Sequence, residues 1–342
     1  MELQLDTIVN AECLEHLKQM PDNCLDCVIT SPPYYGLRDY GCDGQVGLED
    51  TPEDYVQRLV DIFHEVKRCL KPTGTLWLNL GDSYCGTGDK GNYQDPKYKN
   101  GRNGQAVAKN KIVQGCKKKD LIGIPWMVAF ALRADGWYLR QDIIWAKPNP
   151  MPESVKDRCT KSHEYIFLLT KSPKYYFDYE AIQEEATGYD GRKDTMLKGS
   201  PKYATEEIVP KGVKRQTMAA RGHQRWKFKN LADKGQQPNS MHLRRADGAA
   251  DEQYPVRNKR DVWSVCPKPS SEAHYAMYPE ELVKYCVEAG SPIGGVVFDP
   301  FMGSGTTAAV AKKFDRHYYG TELNPKFYEI ATRRVSQILS FI

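Results

Sequence analysis

An α/β fold on a doubly wound, mostly parallel sheet is what this sequence predicts, and three observations predict it. Short apolar runs alternate with amphipathic stretches of helical period at both ends of the chain. Glycine and proline clusters punctuate the transitions between them. Two polar, basic stretches, within 86–119 and 181–260, interrupt that alternation without apolar periodicity of their own.

The elements follow in order. Thr7–Asn10 is short and β-branched, a first strand; Glu12–Met20 has apolar residues at helical spacing; Pro21-Asp22-Asn23 is a turn. Leu25–Thr30 is a buried strand that ends at Ser31-Pro32-Pro33-Tyr34. Thr51 and Pro52 start a helix whose face is Tyr55, Leu59, Ile62, Phe63, Val66 and Leu70. Pro72-Thr73-Gly74 stops it, and Thr75–Leu80 is the next strand. Beyond the insertion come a helix over Asp120–Ala134 and strands over Tyr138–Trp145 and Glu164–Thr170. After the second interruption the chain predicts a helix Pro279–Ala289 and a strand Gly294–Phe298. A glycine-containing loop then opens a helix Thr306–Phe314, followed by a strand His317–Thr321 and a helix Pro325–Leu339. The catalytic body thus comprises 1–180 and 261–342, with 181–260 set apart.

Composition narrows the class. With 342 residues, 40% hydrophobic and 27% charged, the chain can bury a full α/β core. No apolar run approaches the roughly 20 residues of a membrane span, and Met1–Asn10 lacks the features of a signal peptide. Cytoplasmic residence is expected. Of the ten cysteines only Cys24 and Cys27 have CxxC spacing, with no second pair or nearby histidine, so core cysteines are expected rather than disulfides or metal ligands. The net charge of +4 hides an uneven distribution. Gly86–Lys119 holds nine Lys/Arg against two acids and Lys171–Arg260 nineteen against twelve, so the remainder is near −10. Basic arms on an acidic body suit a polyanion such as nucleic acid; two solvated loops are the alternative.

The strongest motif is Val296-Val297-Phe298-Asp299-Pro300-Phe301-Met302-Gly303-Ser304-Gly305-Thr306-Thr307. A strand runs into a Gly-x-Gly loop that opens a helix, bringing backbone N–H groups close to a ligand. The next strand ends at Glu322, where an acid can bind the hydroxyls of a ribose. A nucleoside-containing cofactor fits both features, and no Gly-Lys-Ser/Thr phosphate loop is present. Gly86-Thr87-Gly88-Asp89-Lys90-Gly91 also fits GxGxxG, but a lysine-rich polar stretch follows it rather than a helix.

Thr30-Ser31-Pro32-Pro33-Tyr34 is the second motif. Its prolines fix the backbone, so carbonyls near Ser31 and Pro32 take set directions, and Tyr34 offers a ring for stacking. An aromatic amino group is a poor nucleophile because its lone pair is conjugated; acceptors on its hydrogens localise that pair. A base treated in this way must leave the duplex stack.

Ser-Pro-Pro-Tyr near the N-terminus, with Asp-Pro-Phe-x-Gly-Ser-Gly-Thr-Thr near the C-terminus, resembles the DNA amino-methyltransferase family in its circularly permuted β class. The resemblance covers about 5–85, 120–180 and 261–340. It implies a Rossmann-like, S-adenosylmethionine-dependent methyltransferase fold, a flipped base in double-stranded DNA as acceptor, and S-adenosylhomocysteine as product. It places Ser31, Pro32, Pro33 and Tyr34 at the target base. It assigns Asp299, Pro300, Phe301, Gly303, Ser304, Gly305 and Thr306 to the cofactor, and Glu322 to its ribose. Glu12 stands where the family usually shows Gly-Asp and is a further cofactor candidate, as is Tyr278 in the segment His274–Pro279, which resembles the one closing over the methionine end. Residues 181–260 occupy the place of the target-recognition region. Ser31 resembles the cytosine-N4 branch, since the adenine-N6 branch usually shows Asp or Asn there; adenine N6 is the alternative. A homodimer and a cognate restriction endonuclease are partners that the family can have, as is nucleoid association through DNA; a membrane is not.

Chemistry removes two relatives. Carbon-5 methylation needs a thiolate, normally in a Pro-Cys dipeptide, which is absent, and zinc deamination lacks its His-x-Glu and Pro-Cys-x-x-Cys elements. An RNA or protein amino-methyltransferase, an inactive DNA-binding relative and a nicotinamide oxidoreductase remain as rivals.

Overall fold

The protein is described from a computed structural model that covers residues 3–37, 39–86, 113, 115–185, 256–267 and 278–338. Most of the basic stretch 86–119, most of 181–260 and His274–Met277 lie outside the described residues. Two compact units divide the chain: Met1–Ile182 with Asn258–Ile342, and Gln183–Arg257.

The first unit begins with β1 (Thr7–Asn10), α1 (Cys13–Leu17) and β2 (Leu25–Thr30). Helix α2 (Pro52–Cys69) starts where Thr51 Oγ1 accepts the Asp54 N–H at 3.1 Å, with Pro52 in its first turn. Its face of Tyr55, Leu59, Ile62, Phe63 and Val66 is fully buried. Strand β3 (Leu70–Leu80) begins five residues earlier than Thr75, the expected start. Leu70 pairs with Leu25 and is itself buried, and a register shift between Leu25 and Cys27 absorbs the Pro72-Thr73-Gly74 stretch. Helix α3 (Ile124–Ala134) starts later than Asp120, because Pro125 belongs in a first turn and Asp82 receives the N–H groups of Gly123 and Ile124 at 3.0 and 3.1 Å.

Strands β4 (Tyr138–Ala146) and β5 (His163–Thr170) follow. The second unit contributes β6 (Glu184–Glu185) and β7 (Val256–Arg257), an antiparallel pair held by an Arg257–Glu184 ion pair at 2.9 Å. Returning to the first unit, the chain forms β8 (Val262–Ser264), α4 (Glu280–Gly290), β9 (Val296–Asp299), α5 (Thr306–Lys313), β10 (His317–Glu322) and α6 (Pro325–Ser336).

Eight strands make one sheet in the order β1-β10-β9-β2-β3-β5-β4-β8. All pairings are parallel except those of β5, which runs antiparallel to both β3 and β4. No helix separates β4 from β5, and without a crossover the chain returns in the opposite direction. One apolar cluster packs α1, α2 and α3 on one face of the sheet. A second packs α4, α5 and α6 on the other face. The α/β, doubly wound, mostly parallel architecture is therefore as the sequence predicts. Among the described residues no helix is long and apolar enough to cross a membrane.

Candidate active site

Strands β9 and β2 are neighbours, with Cys27 opposite Val297 and Val28 opposite Phe298. From β9 the chain proceeds to β10 on one side, and from β2 it proceeds to β3 on the other. The winding reverses between them, and open α/β sheets bind ligands in the crevice at such a reversal, outside the carboxyl ends of the strands. The Ser31–Tyr34 turn and the 299–306 loop both leave the sheet there.

Asp299 joins the two. Its Oδ1 accepts Thr30 Oγ1 at 2.6 Å and the Phe301 N–H at 3.0 Å. Its Oδ2 accepts Thr307 Oγ1 at 2.7 Å and the Tyr278 hydroxyl at 2.9 Å. The side chain is fully buried, and burial holds its carboxyl above the usual range against the pull of those donors. Burial, then the Asp299 charge, pushes the Tyr278 phenol well up, so it stays neutral and donates.

Gly303 and Gly305 adopt φ of 56° and 81°, in the left-handed region that glycine tolerates. A Cβ on Gly305 would lie 3.0 Å from Ala331 of α6. The Gly303 N–H donates to Glu322 Oε2 at 2.7 Å, and the Asn324 N–H to Oε1 at 2.8 Å. Burial raises the Glu322 carboxyl to about 7 despite both donors. Pro300 is buried and its carbonyl accepts Thr321 Oγ1 at 2.8 Å; Phe301 packs half-buried on the core. Arg334 Nη1 donates to Thr306 Oγ1 at 3.0 Å and to the Ser304 carbonyl at 3.3 Å, clamping the start of α5. Glu12, half-buried, caps α1 by accepting the Glu15 N–H at 2.8 Å. It follows β1, whose Asn10 lies opposite Glu322. A glycine-opened loop beside an acid on the adjacent strand end fits a nucleoside cofactor.

On the other side of the crevice, Pro32 is buried and the Pro33 carbonyl accepts the Tyr55 hydroxyl at 2.9 Å. No described residue donates to the carbonyls of Ser31 and Pro32. The Tyr34 hydroxyl donates to Glu164 Oε2 at 2.6 Å and accepts Asn79 Nδ2 at 2.6 Å. Asn79 Nδ2 also reaches Glu164 Oε2 at 2.9 Å and Ser31 Oγ at 3.3 Å. Lys147 pairs with Glu164 Oε1. The Tyr34 ring lies so close to Gly81 that a Cβ there would meet its Cε2 at 2.5 Å. Asn79 Oδ1 is buried with no partner among the described residues, and Asn79 lines a small pocket with Thr30, Tyr278, Ile29, Trp77 and Ile166.

Sequence reasoning did not single out Thr30, Thr307, Asn79, Glu164 or Lys147 as site residues. The first two adjoin or sit inside the motifs, where a hydroxyl is a readable signal. Asn79 is the penultimate residue of β3, a parallel neighbour of β2. Glu164 reaches the site because β5 is reversed, which periodicity does not reveal, and Lys147 because it follows the carboxyl end of β4.

The DNA methylase family model, that of the N6 and N4 enzymes, matches residues 25–333. The chain belongs to this family. It is 42% identical over 335 residues to the Type II methyltransferase M.Cfr9I of Citrobacter freundii, across 98% of this chain and 89% of that one. It is 40% identical over 329 residues to M.SmaI of Serratia marcescens, across 96% and 90%. Among solved structures, the cytosine-N4-specific PvuII DNA methyltransferase aligns with a TM-score of 0.59 at 15% identity, over 99% of this chain and 88% of that one. A putative DNA modification methylase of Thermus thermophilus, complexed with S-adenosyl-L-methionine, aligns at 0.53 and 20% identity, over 96% and 91%. The DNA methylase is thus an S-adenosylmethionine-dependent enzyme acting on DNA. Among its described residues no group of three or more His, Cys, Asp and Glu is arranged to hold a metal ion.

Proposed function

We propose that this DNA methylase methylates N4 of a cytosine flipped from double-stranded DNA. The carrying observation is the Thr30–Asp299 hydrogen bond at 2.6 Å, which couples the base-side turn to the cofactor-side loop. S-adenosylmethionine supplies an electrophilic methyl on its sulfonium. The chain's residues do the rest. Tyr34 stacks the base, and the carbonyls of Ser31 and Pro32 accept the two amino hydrogens, turning the nitrogen lone pair toward the methyl. With the cofactor bound, its methyl would pass to that nitrogen by a single displacement, the sulfur leaving as a neutral thioether and the extra amino proton going to water. Gly303 and Gly305 would let the loop approach the cofactor, Glu322 would accept its ribose hydroxyls, and Tyr278 and Glu12 would hold its methionine and adenosine ends. Most of the acceleration comes from alignment, with no covalent enzyme intermediate.

Ser31 at the head of the motif supports cytosine; adenine N6 is the second reading. Residues 181–260 supply target recognition, and the Type II names of the relatives support a restriction–modification role with a cognate endonuclease. The test is to methylate DNA with labelled cofactor, digest it, and identify the nucleoside by mass spectrometry. N4-methylcytosine is expected. N6-methyladenine would move the assignment to the adenine branch, and 5-methylcytosine or unlabelled DNA would overturn the mechanism.

A further inference from the structure

We propose that Glu164, charge-balanced by Lys147, is a positioning residue that fixes the plane of Tyr34 against the target base. The inference rests on the stacking role of Tyr34 given above.

A stacking ring works only if its plane is set before the base arrives. Gly81 leaves space for the Tyr34 ring, whose Cε2 would lie 2.5 Å from a Cβ there, which limits where the ring lies. The ring's turn is fixed at the hydroxyl, which donates to Glu164 and receives from Asn79, both at 2.6 Å. Asn79 reaches Ser31 Oγ as well, so both polar side chains of the Ser-Pro-Pro-Tyr turn hang from one carboxylate-anchored network.

The topology explains the delivery of that anchor. The parallel strands present their carboxyl ends at the crevice, so an antiparallel strand presents its beginning there. Glu164 is the second residue of β5 and pairs with Trp145 near the end of β4; Lys147 is the next residue after that strand. Burial raises the Glu164 carboxyl, yet Lys147, with the Tyr34 and Asn79 donors, brings it below the usual range. An ionised carboxylate can only accept, so the phenol must donate, and because a phenol O–H lies in the plane of its ring, the direction of that bond favours one ring plane. Among the described residues Lys161, whose Nζ bonds the Asp82 carbonyl, is a further charged group that feels the Glu164 carboxylate, beside Lys147.

The experiment measures methyl transfer by the full chain, with tritiated S-adenosylmethionine and phage DNA from a methylation-free host. Tyr34→Phe, Glu164→Gln and their double variant are compared with the parent. Each single change should lower kcat about tenfold, a loss typical of a slightly misplaced group. The double variant should lose little more, because both changes remove the same charge-assisted bond between phenol and carboxylate. Cofactor Kd by calorimetry should stay within about twofold of the parent. Lys147→Met should move the acid limb of the kcat–pH profile upward, since Glu164 then keeps its proton to higher pH. That last variant carries the test alone if Glu164→Gln does not fold. Parent turnover in Glu164→Gln, multiplying losses in the double variant, a cofactor Kd weakened in step with kcat, or an unmoved acid limb in Lys147→Met would each overturn the proposal. Failure of the underlying reading has a separate signature: Tyr34→Ala would then turn over like the parent.

Discussion

Thr30 donates to Asp299 Oδ1 at 2.6 Å, although the two residues stand 269 positions apart in the chain. One ends the strand that leads into Ser-Pro-Pro-Tyr, and the other ends the strand that leads into the glycine loop. Fixing their separation fixes that of the two half-sites. Asp299 is fully buried, so if Oδ1 lost the Thr30 donor it would keep only the Phe301 N–H, with no water to replace the missing bond.

Thr30→Val should therefore destabilise the fold by about 1–3 kcal/mol, the cost of removing one of two hydrogen bonds to a buried carboxyl oxygen, at nearly unchanged side-chain volume. Turnover should fall more than stability alone requires, since the loop loses its register with the turn. Urea denaturation alongside initial rates separates the two effects. Parent rates in a destabilised variant would mean that this bond serves folding only.

Ser31 and Tyr34 differ in what they lose. The Ser31 hydroxyl makes only long contacts, at 3.3 and 3.4 Å, and its proposed part is played by its carbonyl, which alanine retains. Ser31→Ala should keep activity within about tenfold of the parent, whereas Tyr34→Ala, which removes the stacking ring, should cost about a hundredfold or more. Single-turnover rates on unmethylated DNA decide it; equal losses would contradict the backbone role.

Gly305 stands at φ 81° with Ala331 3.0 Å from where a Cβ would be. Gly305→Ala should cost about 1–3 kcal/mol of stability from backbone strain, and push the loop off α6. A cofactor affinity weakened beyond the stability loss, read by calorimetry on the folded fraction, is the expected sign.

Legibility in the sequence followed periodicity. Helix α2 announced itself through Thr51, Pro52 and one unbroken apolar face, and β9 through a buried run ended by Asp-Pro. The start of β3 was misplaced because Pro72-Thr73-Gly74 looks like a terminator, when the pairing of Leu70 with Leu25 carries the strand past it. Direction is invisible to a pattern of period two, so the reversal of β5 could not be read. With it went Glu164, the anchor behind Tyr34; its partner Lys147 follows β4 and belongs to no contiguous motif. Chemistry held in contiguous motifs was legible, and chemistry assembled from the ends of neighbouring strands was not.

Glu322 links the cofactor cleft to pH. Burial raises its carboxyl to about 7, against an unfolded value near 4.5. Between those values the folded protein holds a proton that the unfolded chain has released, so the cofactor-free enzyme loses stability as pH rises through that window. Cofactor binding should run the other way. Ribose hydroxyls donate best to an ionised carboxylate, so S-adenosylmethionine should bind more tightly as pH climbs toward 7, by up to about tenfold per unit on the acid side. The amino group of the cofactor titrates as well, so the comparison is with Glu322→Gln, which keeps an acceptor for the Gly303 N–H but cannot ionise. Melting temperature and calorimetric Kd, each measured from about pH 5 to about 8, should both lose the slope that Glu322 contributes. Identical pH slopes in parent and variant would remove Glu322 from the ribose and return it to a purely structural part, holding the glycine loop against β10.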